Sequence, residues 1–107
     1  MRHLKRVKRR YLALRLECEA LPTEREIIDT LWVSITKLFG EVGASLSGLT
    51  LISFDVERKV AVIRVFLSAL TAVRASIATV TNLAGKEASV HVLAISGTLK
   101  ALYSRIN

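Results

Sequence analysis

At 107 residues the chain has room for one compact domain with one core and excludes a two-domain organisation. Hydrophobic residues make up 51% of it, yet the formal net charge is +7. That pairing implies apolar surface left for a partner, on a molecule that favours polyanions. Cys18 is the only cysteine, which excludes an intramolecular disulfide and a cysteine-based zinc site and fits a reducing compartment.

The charge is concentrated at the start. Residues 1–15 carry Arg2, Lys5, Arg6, Lys8, Arg9, Arg10 and Arg15 with no acid, and the rest of the chain is neutral. Residues 1–9 therefore read as a basic arm and residues 10–107 as a single domain. Such an arm either holds nucleic acid, each neutralised phosphate releasing counterions, or serves as a solubilising tail. No apolar h-region follows the basic start, so no signal peptide is expected. The longest apolar stretch, Leu67 to Leu83, contains Arg74 and many Ser and Thr, which argues against a membrane span; with a single cysteine, a cytoplasmic location is expected.

From Arg10 to Cys18 apolar residues alternate (Leu12, Leu14, Leu16, Cys18), the period of a half-buried strand. Pro22 and Thr23 stop it, and Thr23 with Glu26 forms a capping box that opens a helix. Ile27, Ile28, Leu31, Trp32, Ile35, Leu38 and Phe39 stripe that helix, and Gly40 supplies its stop. Residues 41–48 read as a connection. Leu49–Val56 and Val60–Phe66 form a hairpin about Asp55–Lys59. Ser68 is placed to cap a second helix striped by Leu70, Val73, Ile77, Val80 and Ala84, ended by Gly85-Lys86. Ala88–Ile95 make a last strand, and Leu99, Leu102, Tyr103 and Ile106 stripe a closing helix.

The order β-α-β-β-α-β-α predicts an α+β, ferredoxin-like split β-α-β sandwich. Its four-stranded antiparallel sheet carries two helices on one face, with a short C-terminal helix added. With Ala61, Ile63 and Val65 facing the helices, the other face presents Val60, Val62, Arg64 and Phe66, with Tyr11, Ala13 and Arg15 from the first strand. His91, Leu93 and Ile95 are expected there from the last strand. This mixed apolar and basic face needs a cover: the closing helix, a protein partner or RNA.

No catalytic or metal-ligating constellation stands out. His3 and His91 are far apart, the carboxylates are scattered, Cys18 sits on an apolar strand side, and no phosphate-loop glycine pattern occurs. The third strand also lacks the aromatic consensus of an RNA-recognition motif. The stretch LAISGTLKAL (93–102) leads from strand to helix through Ser96, Gly97 and Thr98, with Lys100 one turn inside and Ser96 as the expected N-cap. Backbone N–H groups, hydroxyls and a cation together make either a modest phosphate cradle or an ordinary capped helix.

Three stretches carry a family resemblance: KRRYLALRL (8–16), the block from LWVSITKLFGEVGAS through LTLISFD (31–55), and LAISGTLKAL (93–102) with its Ser-Gly-Thr-Leu-Lys core. With them the chain resembles the archaeal and eukaryotic ribonuclease P protein component 2 family. The resemblance implies a subunit of the complex that removes 5′ leaders from precursor tRNA, with RNA as the catalyst and Mg²⁺ belonging to that RNA. No cofactor is then expected on this chain. The implied partners are ribonuclease P RNA, a barrel-shaped protein subunit and other protein subunits, with precursor tRNA met through the complex and self-association a further possibility. Carried over by position, Lys8, Arg9, Arg10 and Tyr11 would lie near RNA, and Ser96, Gly97, Thr98 and Lys100 would contact phosphate or a partner. A ferredoxin-like dimerising or ligand-sensing domain with no RNA role is the competing reading, and a stand-alone nuclease a third.

Overall fold

In the computed structural model the described residues are 7–107; Arg2, Lys5 and Arg6 lie outside them. The elements in chain order are β1 (Arg9–Cys18), α1 (Glu24–Ser45), β2 (Thr50–Asp55), β3 (Val60–Phe66), a 3-10 turn (Leu67–Ala69), α2 (Leu70–Ala78), β4 (Asn82–Leu83), β5 (Lys86–Ser96) and α3 (Leu99–Ile106). The sheet runs β2-β3-β1-β5-β4, with every pair antiparallel. The antiparallel α+β sandwich expected from the sequence is present, but the sheet has five strands, not four.

The extra strand corrects the expected second helix. That helix ends at Ala78 rather than at Ala84, where Thr79 turns its hydroxyl onto the Ser76 carbonyl at 2.6 Å. The next residues fold as a hairpin in which Leu83 pairs with Lys86 across Ala84 and Gly85, both at positive φ (53° and 78°). Two successive positive-φ residues give the tight turn whose twist matches paired strands. Leu83 is thereby buried in the core. Ser68 does not cap α2: it lies in the 3-10 turn, and the capping position, Ala69, offers no side-chain hydrogen bond.

Alternation along the strands produces two cores, one on each side of the sheet. On one side Leu12, Leu14 and Leu16 of β1 and Ala61, Ile63 and Val65 of β3 pack on Ile27, Leu31 and Ile35 of α1 and on Val73 and Ile77 of α2. On the other side Ala13, Val60 and Val62 pack beneath Leu102 of α3, bordered by Tyr11, Ile52, Ala94, Leu99, Tyr103 and Ile106. The closing helix is therefore the cover of the second face. Tyr103 anchors it through a 3.1 Å hydroxyl contact with Ser53, and Arg58 of the β2–β3 turn donates to Asn107 Oδ1 and to the Ile106 carbonyl.

One residue on that face is misplaced by simple alternation. Ala13 pairs with Ala94 but Leu14 pairs with Val92, so Leu93 is an extra, bulged residue. Beyond it the parity of β5 inverts, and Ile95, expected on the α3 side, joins the α1–α2 core.

Residue Thr23 opens α1 as the capping box predicts: its hydroxyl accepts from Glu26 N at 3.1 Å and Glu26 Oε1 accepts from Thr23 N at 2.8 Å. Thr23→Ala is expected to lower stability by about 1 kcal/mol, read as a shift in a thermal or urea melt. Gly40, at φ 77°, does break the helix, but the chain resumes helical geometry to Ser45 where a connection was expected. The resumed turn carries Ser47 and Gly48 to the start of β2, where Phe66 N donates to Ser47 O at 2.9 Å. No helix among the described residues is long and apolar enough to cross a membrane.

Candidate nucleic-acid interface

Strand register sorts charge to opposite ends of the sheet. At one end Arg9 pairs with Phe66, Arg10 with Val65, and Tyr11 with both Arg64 and Ser96. At the other end Arg15 pairs with Val60 and His91, and Cys18 with Ala88. Glu17, Glu19, Asp55, Glu57 and Glu87 follow from sequence and pairing to this second end, and Glu24, Glu26 and Asp29 join them on the first turns of α1. The end built from the start of β1, the exit of β3 and the β5–α3 corner contains no acid; Glu41 is on the helix layer. The cationic end is thus a product of pairing between distant segments, not of the arm alone.

Within that end, Lys8 and Arg9 are exposed and Arg10 is half-buried. The Arg9 guanidinium lies 5.8 Å from the centroid of the Phe66 ring, a cation–π contact. Gly48 makes the space for this ring: a Cβ there would lie 2.8 Å from three of its carbons, and Gly48 also sits at φ 67°. Arg10 Nη1 donates to Arg9 O at 2.8 Å, and a Cβ placed on Gly97 would lie 3.6 Å from the same nitrogen. The structure thereby brings Arg10 of the basic entry beside the Ser-Gly-Thr corner, two features 87 residues apart in sequence.

The corner differs in detail from its expected form. Ser96 is the last residue of β5, and the N-cap of α3 is Thr98, whose hydroxyl accepts from Ala101 N at 3.2 Å. The Ser96 hydroxyl accepts from Thr98 N at 3.4 Å instead. Gly97, Thr98 and Lys100 are exposed, and Tyr11 is partly buried at the edge of the α3 core. Arg15 stands apart from the group: it lies at the acid-bearing end, 3.2 Å from Glu17. Arg64 was legible as an outer-face cation by alternation, yet nothing in the local sequence distinguished it from a solvated strand arginine.

Folding also assembles Glu17, Ser89 and His91 across β1 and β5. Ser89 Oγ is 3.2 Å from His91 Nε2, and Glu17 Oε2 is 3.5 Å from that same nitrogen. Nucleophilic catalysis needs the acid on the opposite ring nitrogen, where it orients the imidazole toward the hydroxyl, so this exposed trio lacks the triad arrangement. Among the described residues no three His, Cys, Asp or Glu side chains gather as a metal-binding group. Cys18 is half-buried, its thiol directed at the Ala20 carbonyl at 3.0 Å.

A second surface lies on α1. Trp32, Val33, Leu38, Phe39 and Val42 are exposed, as is Leu46 just beyond the helix. Val42 and Leu46 are 73% and 66% accessible, too exposed to be core residues. A groove of about 550 Å³ runs beside Val33 and Leu38, between α1 and the α2–β4 connection. This is the apolar surplus anticipated from composition, collected on one helix.

Fold and charge together define a small α+β sandwich domain with a cationic end and an exposed apolar helix face. Residues 10–107 match the Rpp14/Pop5 family, and the chain belongs to that family. Ribonuclease P protein component 2 of Methanosarcina barkeri is 35% identical over 95 residues, covering 89% of this chain and 69% of that protein. The protein of the same name from Archaeoglobus fulgidus is also 35% identical, over 89% of this chain and 84% of its own length. That of Pyrococcus furiosus is 31% identical over 97 residues, 91% of this chain and 81% of its own. A chain in the cryo-EM structure of yeast ribonuclease MRP superposes with a TM-score of 0.71, covering 91% of this chain and 79% of that one at 18% identity, a likeness of fold.

Proposed function

We propose that this chain is a protein subunit of ribonuclease P, supporting the catalytic RNA in 5′ leader removal from precursor tRNA. Its relatives carry that name across nearly the whole described domain. The observation that carries the physical reading is the acid-free end of the sheet, where Lys8, Arg9, Arg10 and Lys100 converge with the Ser96–Thr98 corner. A phosphodiester chain supplies the closely spaced negative charge that such an end favours. The chain's own part is to bind and position; Mg²⁺ chemistry belongs to the RNA, and the protein works in the cytoplasm.

The apolar face of α1 is the contact for a protein subunit of the same complex, with the barrel-shaped subunit as its partner. Burial of Trp32 and Phe39 would supply the aromatic anchors such interfaces use. Self-association through the same face is the competing occupant, excluded if Trp32→Ala weakens binding of the partner subunit and leaves the oligomeric state of the chain unchanged.

Two lysines test the assignment of the cationic end. Lys100 stands on the first turn of α3 at that end, whereas Lys86 stands in the β4–β5 hairpin beside Glu87. Lys100→Ala is expected to weaken binding to an archaeal ribonuclease P RNA transcript roughly 5-fold or more, and Lys86→Ala to leave it within about twofold. Equal losses in a filter-binding titration would return the Ser-Gly-Thr corner to a plain helix cap.

A further inference from the structure

Arg64 projects from β3 on the α3 side of the sheet, between Ile63 and Val65, which are both buried in the opposite core. Its Nε is closed off from solvent and has no hydrogen-bond partner among the described residues. A buried N–H without an acceptor opposes folding, but the residue as a whole is only partly buried, so it is this one N–H and not the whole guanidinium that is closed off.

Among the described residues its strand partners carry no carboxylate. Across the sheet Arg64 faces Tyr11 on β1 and Thr50 on β2. The acids of those strands are at the other end: Asp55 pairs with Val60, about 13 Å along β3 at the usual strand rise. Asp55 Oδ1 is occupied by Glu57 N and Arg58 N, and Glu17 by Arg15. Two residues on, Phe66 carries the Arg9 guanidinium over its ring. The apolar cluster beneath α3 reaches Tyr11 and Val62 but does not include Phe66.

We propose that Arg64 is an RNA-phosphate-binding residue, its guanidinium presented between Tyr11 and Phe66 so that the N–H groups of its two terminal nitrogens take one backbone phosphate. The assignment rests on the reading of the chain as a ribonuclease P subunit. Cations on two adjacent strands with no acid between them match a ligand of repeated negative charge. An acidic protein segment would also satisfy the guanidinium, and partner-subunit binding measured beside RNA affinity separates the two. Strand placement gives the group a fixed direction.

The test compares Arg64→Met, Arg64→Lys and Arg10→Ala in the full chain, titrated with an archaeal ribonuclease P RNA transcript across about 50–200 mM salt. Arg64→Met is expected to weaken binding about 10-fold and to make the slope of log affinity against log salt shallower by about one. Its Tm stays the same or rises, because an unpartnered buried donor has been removed. Arg64→Lys keeps the slope and loses part of the affinity, having the charge without the fork. An unchanged slope in Arg64→Met overturns the proposal, and so does a Tm several degrees lower, which would mean that the guanidinium is anchored inside the domain. Loss of partner-subunit binding with RNA affinity intact also overturns it, in favour of an acidic protein ligand. If Arg10→Ala weakens binding and Arg64→Met does not, only this assignment fails; if the unaltered chain binds the transcript with no salt dependence, the subunit reading fails with it.

Discussion

Replacing Lys8, Arg9 and Arg10 together by alanine is expected to lower affinity for a ribonuclease P RNA transcript roughly 100-fold or more at low salt. The slope of log affinity against log salt should become shallower by about two to three, since each phosphate contact releases somewhat less than one counterion. Stability should hardly move. Lys8 precedes β1, Arg9 is exposed, and the hydrogen bond of Arg10 is to an exposed neighbouring carbonyl; the cation–π contact of Arg9 with Phe66 is a small contribution at a surface. Affinity and stability therefore separate in this variant, which distinguishes a contact surface from a structural one. Binding that survives the triple substitution with its salt response intact would remove the cationic end from the RNA interface.

The largest stability effect is expected from Leu102→Ala. Leu102 is fully buried, the central residue with which α3 closes over Ala13, Val60 and Val62. Truncation removes the buried side chain and leaves a cavity that the strands beneath cannot fill, a loss of about 2–5 kcal/mol. A helix of eight residues has no stability of its own in water, so α3 depends on this contact to stay on the sheet. For a domain of this size the melting temperature should fall by roughly 10–25 °C, measured by calorimetry. Amides of α3 should lose hydrogen-exchange protection before those of β1 and β3. A shift of only a degree or two would mean that α3 is held by Tyr103, Arg58 and its cap rather than by its apolar stripe.

Much of this architecture was legible in the sequence because it depends on neighbours a few residues apart. The alternation of Leu12, Leu14 and Leu16, the Thr23–Glu26 capping box and the α3 stripe all describe contacts within one strand or one or two helical turns. The errors fall where local signals compete with longer contacts. Val80 and Ala84 continued a helical stripe, but Leu83 gains more by entering the core from a hairpin than by extending α2. Ser96 and Thr98 are both good caps; pairing of Ser96 with Tyr11 extends β5 and passes the role to Thr98. The bulge at Leu93 has no local signature at all, since only the pairing partner on β1 defines an extra residue.

The same division runs through the candidate interface. The excess of positive charge and its concentration near the N-terminus are properties of the sequence alone, as are the family-bearing stretches and the apolar surplus. That Arg10 lies beside Gly97, that Arg64 Nε is buried without an acceptor, and that eight of the nine acids gather away from both were decided only by tertiary structure. Side-chain period and capping are set by forces acting over a few residues, whereas register between strands tens of residues apart is set by which faces must be buried together.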